Sequence, residues 1–302
     1  MLMRFITALF AACLLCGGQT STEKLDGLIK AKLQGFPAKV SLYAKNLDSG
    51  ATYNLNGGDP VRTASTIKLA IMVECFAEAA EGKLKLTEPI KLTDDEKVSG
   101  SGILQELSAG DEFPIRDLVD LMIVLSDNTA TNLILNRIGG NAVNAQMAHL
   151  GFQQTRVMRK ILGDRKDLKP VPSGITDEGA KPENKKWGIG RSSPQEMVAI
   201  LEKLYRGEMV SKSASEDMLN ILKHQRDRTG IARDDDSVTI AEKTGALDHL
   251  RSDVAIVYSK HGAIAMAITV EDIPQINWTP DNPGVLMISS LSQILLDGLA
   301  SK

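Results

Sequence analysis

The sequence is poor in the residues that several common chemistries require. Aromatic residues make up only 4 % of the chain, so it lacks the side chains on which proteins stack bases or sugars. The four histidines are scattered: His149, His224, His249 and His261. No pair of them has the spacing of a zinc site, and no cysteine cluster, phosphate loop or dinucleotide motif accompanies them. We therefore expect neither a metal nor a cofactor.

An excess of one charge is also lacking. The formal net charge is −3 over 302 residues, which argues against nucleic acid or an anionic membrane surface as a partner. Hydrophobic residues make up 43 % and charged residues 24 %, and the mean hydropathy is −0.09. This composition excludes a disordered or membrane-embedded protein and is sufficient for a large buried core.

The first residues have the pattern of an export signal. Arg4 precedes an apolar stretch at residues 5–16, and small and polar residues follow it. We predict a signal peptide over residues 1–19, a secreted or periplasmic protein, and no stable membrane insertion. The alternatives are an apolar first helix of the fold, or lipid anchoring at Cys16, for which Leu14 and Leu15 make a poor recognition sequence.

Cysteine is scarce in the rest of the chain. Once residues 1–19 are removed, Cys75 is the only cysteine left, so no internal disulfide can form despite an oxidising destination. Cys75 stands in an apolar helical segment, and we expect it to be unreactive core.

Strand patterns stand at both ends of the chain and helical patterns in the middle. Alternating residues predict strands near 40–44, 53–55, 238–242, 254–258 and 264–270. Apolar periodicity predicts helices near 115–125 and 197–204, and a closing helix at 285–299. The predicted fold is therefore α+β: one five-stranded antiparallel sheet built from both chain ends and flanked by helices, with an inserted all-α subdomain. We place the sheet subdomain at about 20–60 and 212–302 and the helical subdomain at about 61–211. The stretch 163–191 is predicted as one long irregular loop, which in a compact domain is usually functional.

Three short motifs follow one another in an informative order. Ser65-Thr66-Ile67-Lys68 comes first, then Ser126-Asp127-Asn128, then Lys243-Thr244-Gly245. The first motif alone is weak evidence for an active site, because residues 21–24 satisfy the same S-x-x-K pattern by chance. Each also has a structural interpretation: Ser65 as a helix N-cap, residues 126–128 as a turn capped by Asp127, and residues 243–245 as a polar strand end.

Ser65 and Lys68 have the spacing of a nucleophile and its base. Residues three apart on a helix lie on the same side, so the lysine amine can reach the serine hydroxyl. A helix N-terminus at Ser65 also favours developing negative charge. Apolar neighbours would desolvate Lys68 and lower its pKa, and a like charge from Lys243 would act in the same direction.

The three motifs together resemble those of the class A β-lactamases, within the penicillin-recognising serine hydrolases. The resemblance runs from about residue 41 to residue 299 and is closest around the three motifs. It implies the β-lactamase and transpeptidase-like form of the α+β fold.

The resemblance also implies roles for individual residues. Ser65 would be the nucleophile, Lys68 its base and Ser126 the donor to the leaving nitrogen. The implied substrate-binding residues are Asn128, Lys243, Thr244, Ala246 and Arg251. The N–H groups of Ser65 and Ala246 would form the oxyanion hole. For Arg251 an equal alternative is a surface arginine beside Asp248 and Asp253.

The sequence departs from the family in the loop that carries the deacylating glutamate. Counting forward from the start of that loop at residues 155–156 puts Ile161 at the glutamate place and Arg165 at the place of the asparagine that follows it. Neither residue can do the expected chemistry. Residues 99–102, Ser-Gly-Ser-Gly, also stand where the family often carries an aromatic wall residue.

Counting back from the end of the loop at residues 193–194 gives a different answer. It lands near Asp177 and Glu178, because the loop is longer here. Glu178 and Glu183 are therefore candidates for the deacylating base, and neither is assigned.

The sequence as a whole predicts an exported serine β-lactamase that works through a Ser65 acyl-enzyme. The alternatives are a D-alanyl peptidase or esterase on the same fold, or a penicillin-binding sensor with slow deacylation. The expected partner is a small β-lactam or acyl-D-alanyl substrate, and we expect a monomer. A non-catalytic wall-binding protein fits less well, because every acylation residue is present.

Overall fold

The computed structural model describes residues 21–163, 168, 172–231, 233, 235 and 237–300. The predicted signal peptide and Arg165 lie outside these residues. The α-helices are α1 Ser21–Leu33, α2 Lys68–Ala80, α3 Ile115–Val124, α4 Asn128–Ile138, α5 Gly140–His149, α6 Asp177–Ala180, α7 Pro194–Tyr205, α8 Lys212–Lys223 and α9 Pro283–Gly298. The strands are β1 Lys39–Asn46, β2 Thr52–Leu55, β3 Val61–Arg62, β4 Pro89–Lys91, β5 Glu112–Pro114, β6 Arg156–Val157, β7 Gly190–Ser192, β8 Thr239–Leu247, β9 Leu250–Ser259 and β10 Gly262–Glu271.

The main sheet joins the two ends of the chain. Its strand order is β2-β1-β10-β9-β8, and every neighbouring pair is antiparallel. Strand β1 pairs with β10 from Lys39 opposite Glu271 to Asn46 opposite Ile264. The predicted α+β fold with a five-stranded antiparallel sheet is confirmed, and β8 is its edge strand on the side of the third motif.

Two layers of helices cover the sheet. Helices α1 and α9 pack together on one face, where Ile29 and Leu291 lie in the same apolar cluster as Met266 of β10. Helix α7 packs against β1 and β10 on the other face. No helix was predicted at residues 21–33, so α1 is a correction to the sequence analysis.

Helix α2 is the centre of the helical region. All its residues from Lys68 to Glu78 are buried, the charged Lys68, Glu74 and Glu78 among them. Cys75 is fully buried there, and burial raises the pKa of its thiol to about 12. The expectation that Cys75 belongs to the core is confirmed.

The long stretch before α7 is more regular than predicted. Its described part contains α6, a 3₁₀ turn at Pro182–Trp187 and strand β7, which pairs with β3 and β6. Among the described residues, no helix is both long and apolar enough to cross a membrane. The proposed boundary between sheet and helical subdomains stays a prediction, and α7 packs on the sheet although we placed it in the helical part.

Candidate active site

The three motifs meet in one cleft. Ser65 lies in a 3₁₀ turn at Ala64–Ile67, Ser126 in the turn between α3 and α4, and Thr244 in β8. All three line a cleft of about 780 Å³. Ser65 is not an N-cap: Thr63 precedes the 3₁₀ turn, and the α-helix begins only at Lys68.

The edge strand β8 packs closely against the turn that contains Ser65, and the absence of a side chain at Gly245 allows this contact. A Cβ at Gly245 would lie 2.8 Å from the carbonyl oxygen of Thr63 and 3.0 Å from the amide nitrogen of Ser65. Any side chain at Gly245 would therefore force β8 away from the nucleophile. Strand β8 continues to Leu247, so the third motif lies inside the strand and not at its end as predicted.

Lys68 is completely buried beside the second motif. Its Nζ donates to the carbonyl oxygen of Ser126 at 2.7 Å and to Oδ1 of Asn128 at 3.0 Å, and it lies 3.1 Å from Ser126 Oγ. Burial lowers the pKa of Lys68 well below its ordinary value, and the positive charge of Lys243 lowers it further. The side chain is therefore suited to serve as a neutral base.

The surrounding hydrogen bonds fix how the second motif faces Lys68. Asn128 donates through Nδ2 to the carbonyl oxygen of Ser99 at 3.0 Å, which turns its Oδ1 toward the lysine. Asp127 caps α4 by accepting from the Ala130 amide, and its other oxygen accepts from the Ile103 and Leu104 amides. The predicted capping by Asp127 is confirmed.

The backbone is strained at two points of the cleft. Ala64 and Ser126 have φ values of 46° and 54°, a region that residues with a Cβ seldom occupy. Such conformations cost about 1–3 kcal/mol each and persist where the surrounding structure imposes them. One strained residue directly precedes Ser65, and the other carries the hydroxyl that contacts Lys68.

Lys243 lies fully buried in the third motif. Its Nζ donates to the carbonyl oxygen of Thr244 at 2.7 Å. Burial lowers the pKa of Lys243 to about 8, against the opposing influence of Asp227, Asp253 and Glu242. At neutral pH the Lys243 amine therefore remains mostly protonated, as the binding of a substrate carboxylate would require.

Ala246 comes directly after the third motif and lines the cleft, whereas Arg251 lines a neighbouring cavity. Ala246 lines the cleft and pairs in register with Arg251 on β9. The Arg251 guanidinium donates to the carbonyl oxygens of Leu247, Leu250 and Asn277. It lines an adjoining cavity of about 250 Å³ rather than the cleft. The alternative of a surface arginine is wrong, since Arg251 is 5 % exposed, and its contact with substrate stays a prediction.

Ile161 forms part of the cleft wall. Its backbone is held by Asn132, which donates to the Ile161 carbonyl oxygen at 2.8 Å and accepts from its amide at 3.0 Å. Forward counting had put this residue at the place of the deacylating glutamate, and the structure brings it to the cleft.

Neither candidate glutamate lines the cleft. Glu178 in α6 accepts from Lys181 Nζ at 2.6 Å and from Asn184 Nδ2 at 3.1 Å. The hydrogen bond from Lys181 lowers the pKa of Glu178, the opposite of what a general base requires. Glu183 is an exposed residue of the 3₁₀ turn that follows. Backward counting was misleading because the loop is longer here than in the family.

Trp278 and Asp227 are among the cleft residues that sequence reasoning missed. Trp278 is 62 % exposed, borders both the cleft and the adjoining cavity, and lies with its ring 4.8 Å from the guanidinium carbon of Arg251. Asp227 lines the same two spaces. The sequence did offer a signal for Trp278, which is an isolated tryptophan in the polar stretch Asn-Trp-Thr-Pro-Asp. In the described part of the chain, no group of three or more potential ligands is placed to hold a metal ion.

Comparison with known proteins agrees with this geometry. A family model described as the β-lactamase enzyme family matches residues 22–299. β-Lactamase AER-1 of Aeromonas hydrophila is 23 % identical over 241 residues, which cover 78 % of this chain and 74 % of that protein. The crystal structure of a β-lactamase from Sphaerobacter thermophilus is 26 % identical, with a TM-score of 0.77 and coverage of 91 % of this chain and 96 % of that one. A leucine-to-glutamate mutant of PBP-A, solved as an acyl-enzyme with penicillin G, is also 26 % identical, with a TM-score of 0.75 and the same coverage.

Proposed function

Since this chain belongs to the β-lactamase enzyme family, we propose that it is a serine hydrolase that opens β-lactam rings through an acyl-enzyme on Ser65. The single observation that carries the proposal is the position of Lys68. Its buried amine lies 3.1 Å from Ser126 Oγ, next to the cleft that Ser65 also lines. A base of lowered pKa that contacts one serine hydroxyl, beside a cleft that a second serine lines, is suited to take a proton from the second and return it through the first.

The proton path follows from these contacts. Ser65 Oγ attacks the lactam carbonyl carbon while its proton passes to Lys68 Nζ, directly or through a water. When the C–N bond breaks, Ser126 gives its proton to the departing nitrogen and recovers one from Lys68. In the neutral state, Lys68 can donate to the Ser126 carbonyl and to Asn128 while its lone pair accepts a proton. The lysine thus begins and ends each acylation uncharged.

The remaining residues position the substrate. The amides of Ser65 and Ala246 would bind the developing oxyanion, each contributing about 3–4 kcal/mol. Lys243 and Thr244 would bind the substrate carboxylate, and Asn128 would contact the acylamide side chain. The close approach of β8 to the Ser65 turn at Gly245 supports this arrangement, because Ala246 is the next residue of that strand and lines the same cleft as Ser65.

A second candidate is a penicillin-binding protein that releases its acyl group slowly. Ile161 favours it, because an apolar side chain stands in the cleft wall where relatives would carry the deacylating glutamate. The similar PBP-A mutant holds penicillin G as an acyl-enzyme. A D-alanyl peptidase or esterase on this fold would use the same acylation residues.

Intact mass over time distinguishes these functions. We expect one equivalent of a penicillin to add to the protein within the mixing time and then to leave more slowly, which gives burst kinetics. Ser65→Ala should abolish the addition, whereas Ser49→Ala, a change in an exposed turn, should leave it intact. Equal labelling of the Ser65→Ala variant would show that the nucleophile is another residue. A stable adduct without release would favour the slow-releasing penicillin-binding protein.

We also propose that the protein is exported, on the basis of the apolar leader at residues 1–19. Fractionation of cells that express the full chain, with N-terminal sequencing of the product, tests this. Recovery of the uncleaved chain in the cytoplasm would contradict it.

A further inference from the structure

The cleft beside Ser65 keeps a large apolar surface open. Six large apolar side chains line it, and each of them is half-buried or exposed: Val124, Leu125, Ile161, Ile189, Leu247 and Trp278. Of the described residues that line the cleft, only Arg226 and Asp227 are charged, and their charges are opposite. A concave space of about 780 Å³ with apolar walls is the usual form of a small-molecule site. Apolar surface left open there indicates a ligand with an apolar part.

Two of these residues stand next to each other beside the Ser65 turn. Ile161 follows strand β6 and Ile189 precedes strand β7, and the two strands are paired. The amide of Thr63 donates to the carbonyl oxygen of Gly190 at 3.1 Å. A Cβ at Gly190 would also lie 2.7 Å from the side chain of Thr63, so this segment packs tightly on the turn. Ile189 is therefore held close to the nucleophile.

Helix α4 places Ile161 on the side of Asn128. Asn132, which holds the Ile161 backbone at 2.8 Å and 3.0 Å, stands one helical turn after Asn128. Two residues beyond Ile161, a Cβ at Gly163 would lie 2.6 Å from Ser99 Oγ. The carbonyl oxygen of Ser99 in turn accepts from Asn128 Nδ2. This end of the cleft is thus bounded by α4 and by the segment that Ser99 belongs to.

Leu247 closes the same end from the main sheet. It is the last residue of β8, directly after Ala246, and its side chain is half-buried. Leu247 and Arg62 of β3 line one small depression of the surface. Strand β3 pairs with β7, so Leu247 lies on the side of the strand that Ile189 precedes.

The two charged residues lie at the other end of the cleft. The amide of Arg226 donates to the carbonyl oxygen of Val124 at 3.2 Å, which fixes Arg226 and Asp227 beside the end of α3. Ser126 follows α3 by two residues. The end of the cleft at Ser126 is therefore charged, whereas the end at Ile161 is apolar.

We propose that Ile161, Ile189 and Leu247 form a subsite for an apolar acyl chain, so that the protein prefers acyl donors whose acyl group is an extended hydrocarbon. The assignment of this end to the acyl group rests on the proposed function, in which Ser126 serves the leaving group. The existence of an apolar subsite does not depend on it.

A series of p-nitrophenyl esters measures the preference for chain length. Ser65 takes the acyl group, p-nitrophenol leaves, and water then releases the carboxylic acid. Full burial of one methylene group corresponds to a factor of about four. From acetate to hexanoate, we expect kcat/KM, divided by the uncatalysed rate constant, to rise about twofold to fourfold per methylene. A value that stays constant along the series would overturn the proposal.

Two matched substitutions locate the subsite. Leu247→Asn and Leu125→Asn each replace a leucine of the cleft by a polar residue of nearly the same shape, one at each end. We expect Leu247→Asn to reduce the rise per methylene and Leu125→Asn to preserve it. An equal or larger reduction in Leu125→Asn would overturn the assignment to this end. If Leu247→Asn does not fold, Ile161→Gln takes its place, with the same expected reduction.

Inert amides separate a failure of the subsite from a failure of the proposed function. In the Ser65→Ala variant, which cannot be acylated at that residue, hexanamide should bind at least tenfold more tightly than acetamide, as titration by nuclear magnetic resonance would show. Adding Leu247→Asn should reduce this difference. Equal binding of the two amides would overturn the subsite. A parent that neither penicillins nor esters acylate would contradict the proposed function, and the amides would still decide whether the subsite exists.

Discussion

Placing a carboxylate at residue 161 should accelerate the release of the acyl group. Ile161 lines the cleft, and its backbone is held on both sides by Asn132 at 2.8 Å and 3.0 Å. The Ile161→Glu substitution would therefore put a carboxylate at the cleft without loosening the segment that carries it. Such a group can take a proton from the water that attacks the acyl-enzyme.

The expected gain is large compared with the cost to the fold. A positioned general base contributes a factor of about 10²–10⁴, which corresponds to about 3–5 kcal/mol on the barrier to deacylation. Ile161 is half-buried, so the substitution gives up only part of the roughly 1.5–3 kcal/mol that full burial of an isoleucine contributes. Acylation should not change, because Ser65, Lys68 and Ser126 are untouched.

Two measurements on the same samples check this prediction. The burst amplitude reports acylation, and the decay of the adduct mass reports release. Ile161→Gln is the matched control, because it has nearly the same shape as Ile161→Glu and no basic group. If both variants release penicillin at the same rate, or if the burst slows along with the release, residue 161 is not the position from which a carboxylate would activate the deacylating water.

Three further outcomes follow from the site. Lys243→Ala should weaken acylation by anionic β-lactams at least tenfold more than turnover of p-nitrophenyl acetate, as rate constants on the two substrates would show; equal losses would mean that Lys243 acts on the chemistry or the fold. Gly245→Ala should lower the free energy of unfolding by about 1–3 kcal/mol and slow acylation, because a Cβ must displace β8 from the Ser65 turn; unchanged acylation and melting would refute that contact. Trp278→Ala should raise the Michaelis constant with little change in the maximal rate, and bound ligand should quench Trp278 fluorescence in a Trp187→Phe background; absence of quenching in that background would place the ligand elsewhere.

The sheet was predictable because its signals are local and repeated. Residues 40–44, 53–55, 254–258 and 264–270 alternate clearly, and each corresponds to a strand of the observed sheet. Helix α1 was missed because it contains Gly27 and buries few side chains, Leu25 and Ile29 among them, against α9. Its helicity depends on that distant packing, which no short window of sequence shows.

The site was predictable as a set of residues and not as an arrangement of contacts. The motif spacing indicated that Ser65, Lys68, Ser126 and Thr244 belong together, and they do meet at one cleft. Whether Arg251 faces substrate depends on which carbonyl oxygens reach its guanidinium, and these come from the end of β8, the start of β9 and Asn277. Such contacts arise only when three separate segments have folded together.

The deacylating base could not be identified from the sequence for a related reason. Counting from either end of a loop assumes that the loop has the same number of residues as in the family, and the loop here is longer: its described part holds α6 and the 3₁₀ turn at Pro182–Trp187. Forward counting placed Ile161 at the cleft because only a few residues separate it from strand β6. Backward counting had to cross strand β7 and the 3₁₀ turn before it reached Glu178 in α6.

The positions where local preference and the observed structure disagree gather around the cleft. Two of the five described non-glycine residues with positive φ are Ala64 and Ser126. Lys68 and Lys243 are the largest side chains that are fully buried, and lysine is the residue that interiors accept least readily. Each of these features destabilises the fold, and each bears on the proposed chemistry. The strained backbone sets the direction of a serine hydroxyl, and burial lowers the pKa of a lysine amine so that it can act as a base. The apolar residues of α2 and the main sheet supply the stability that offsets the cost of these conformations.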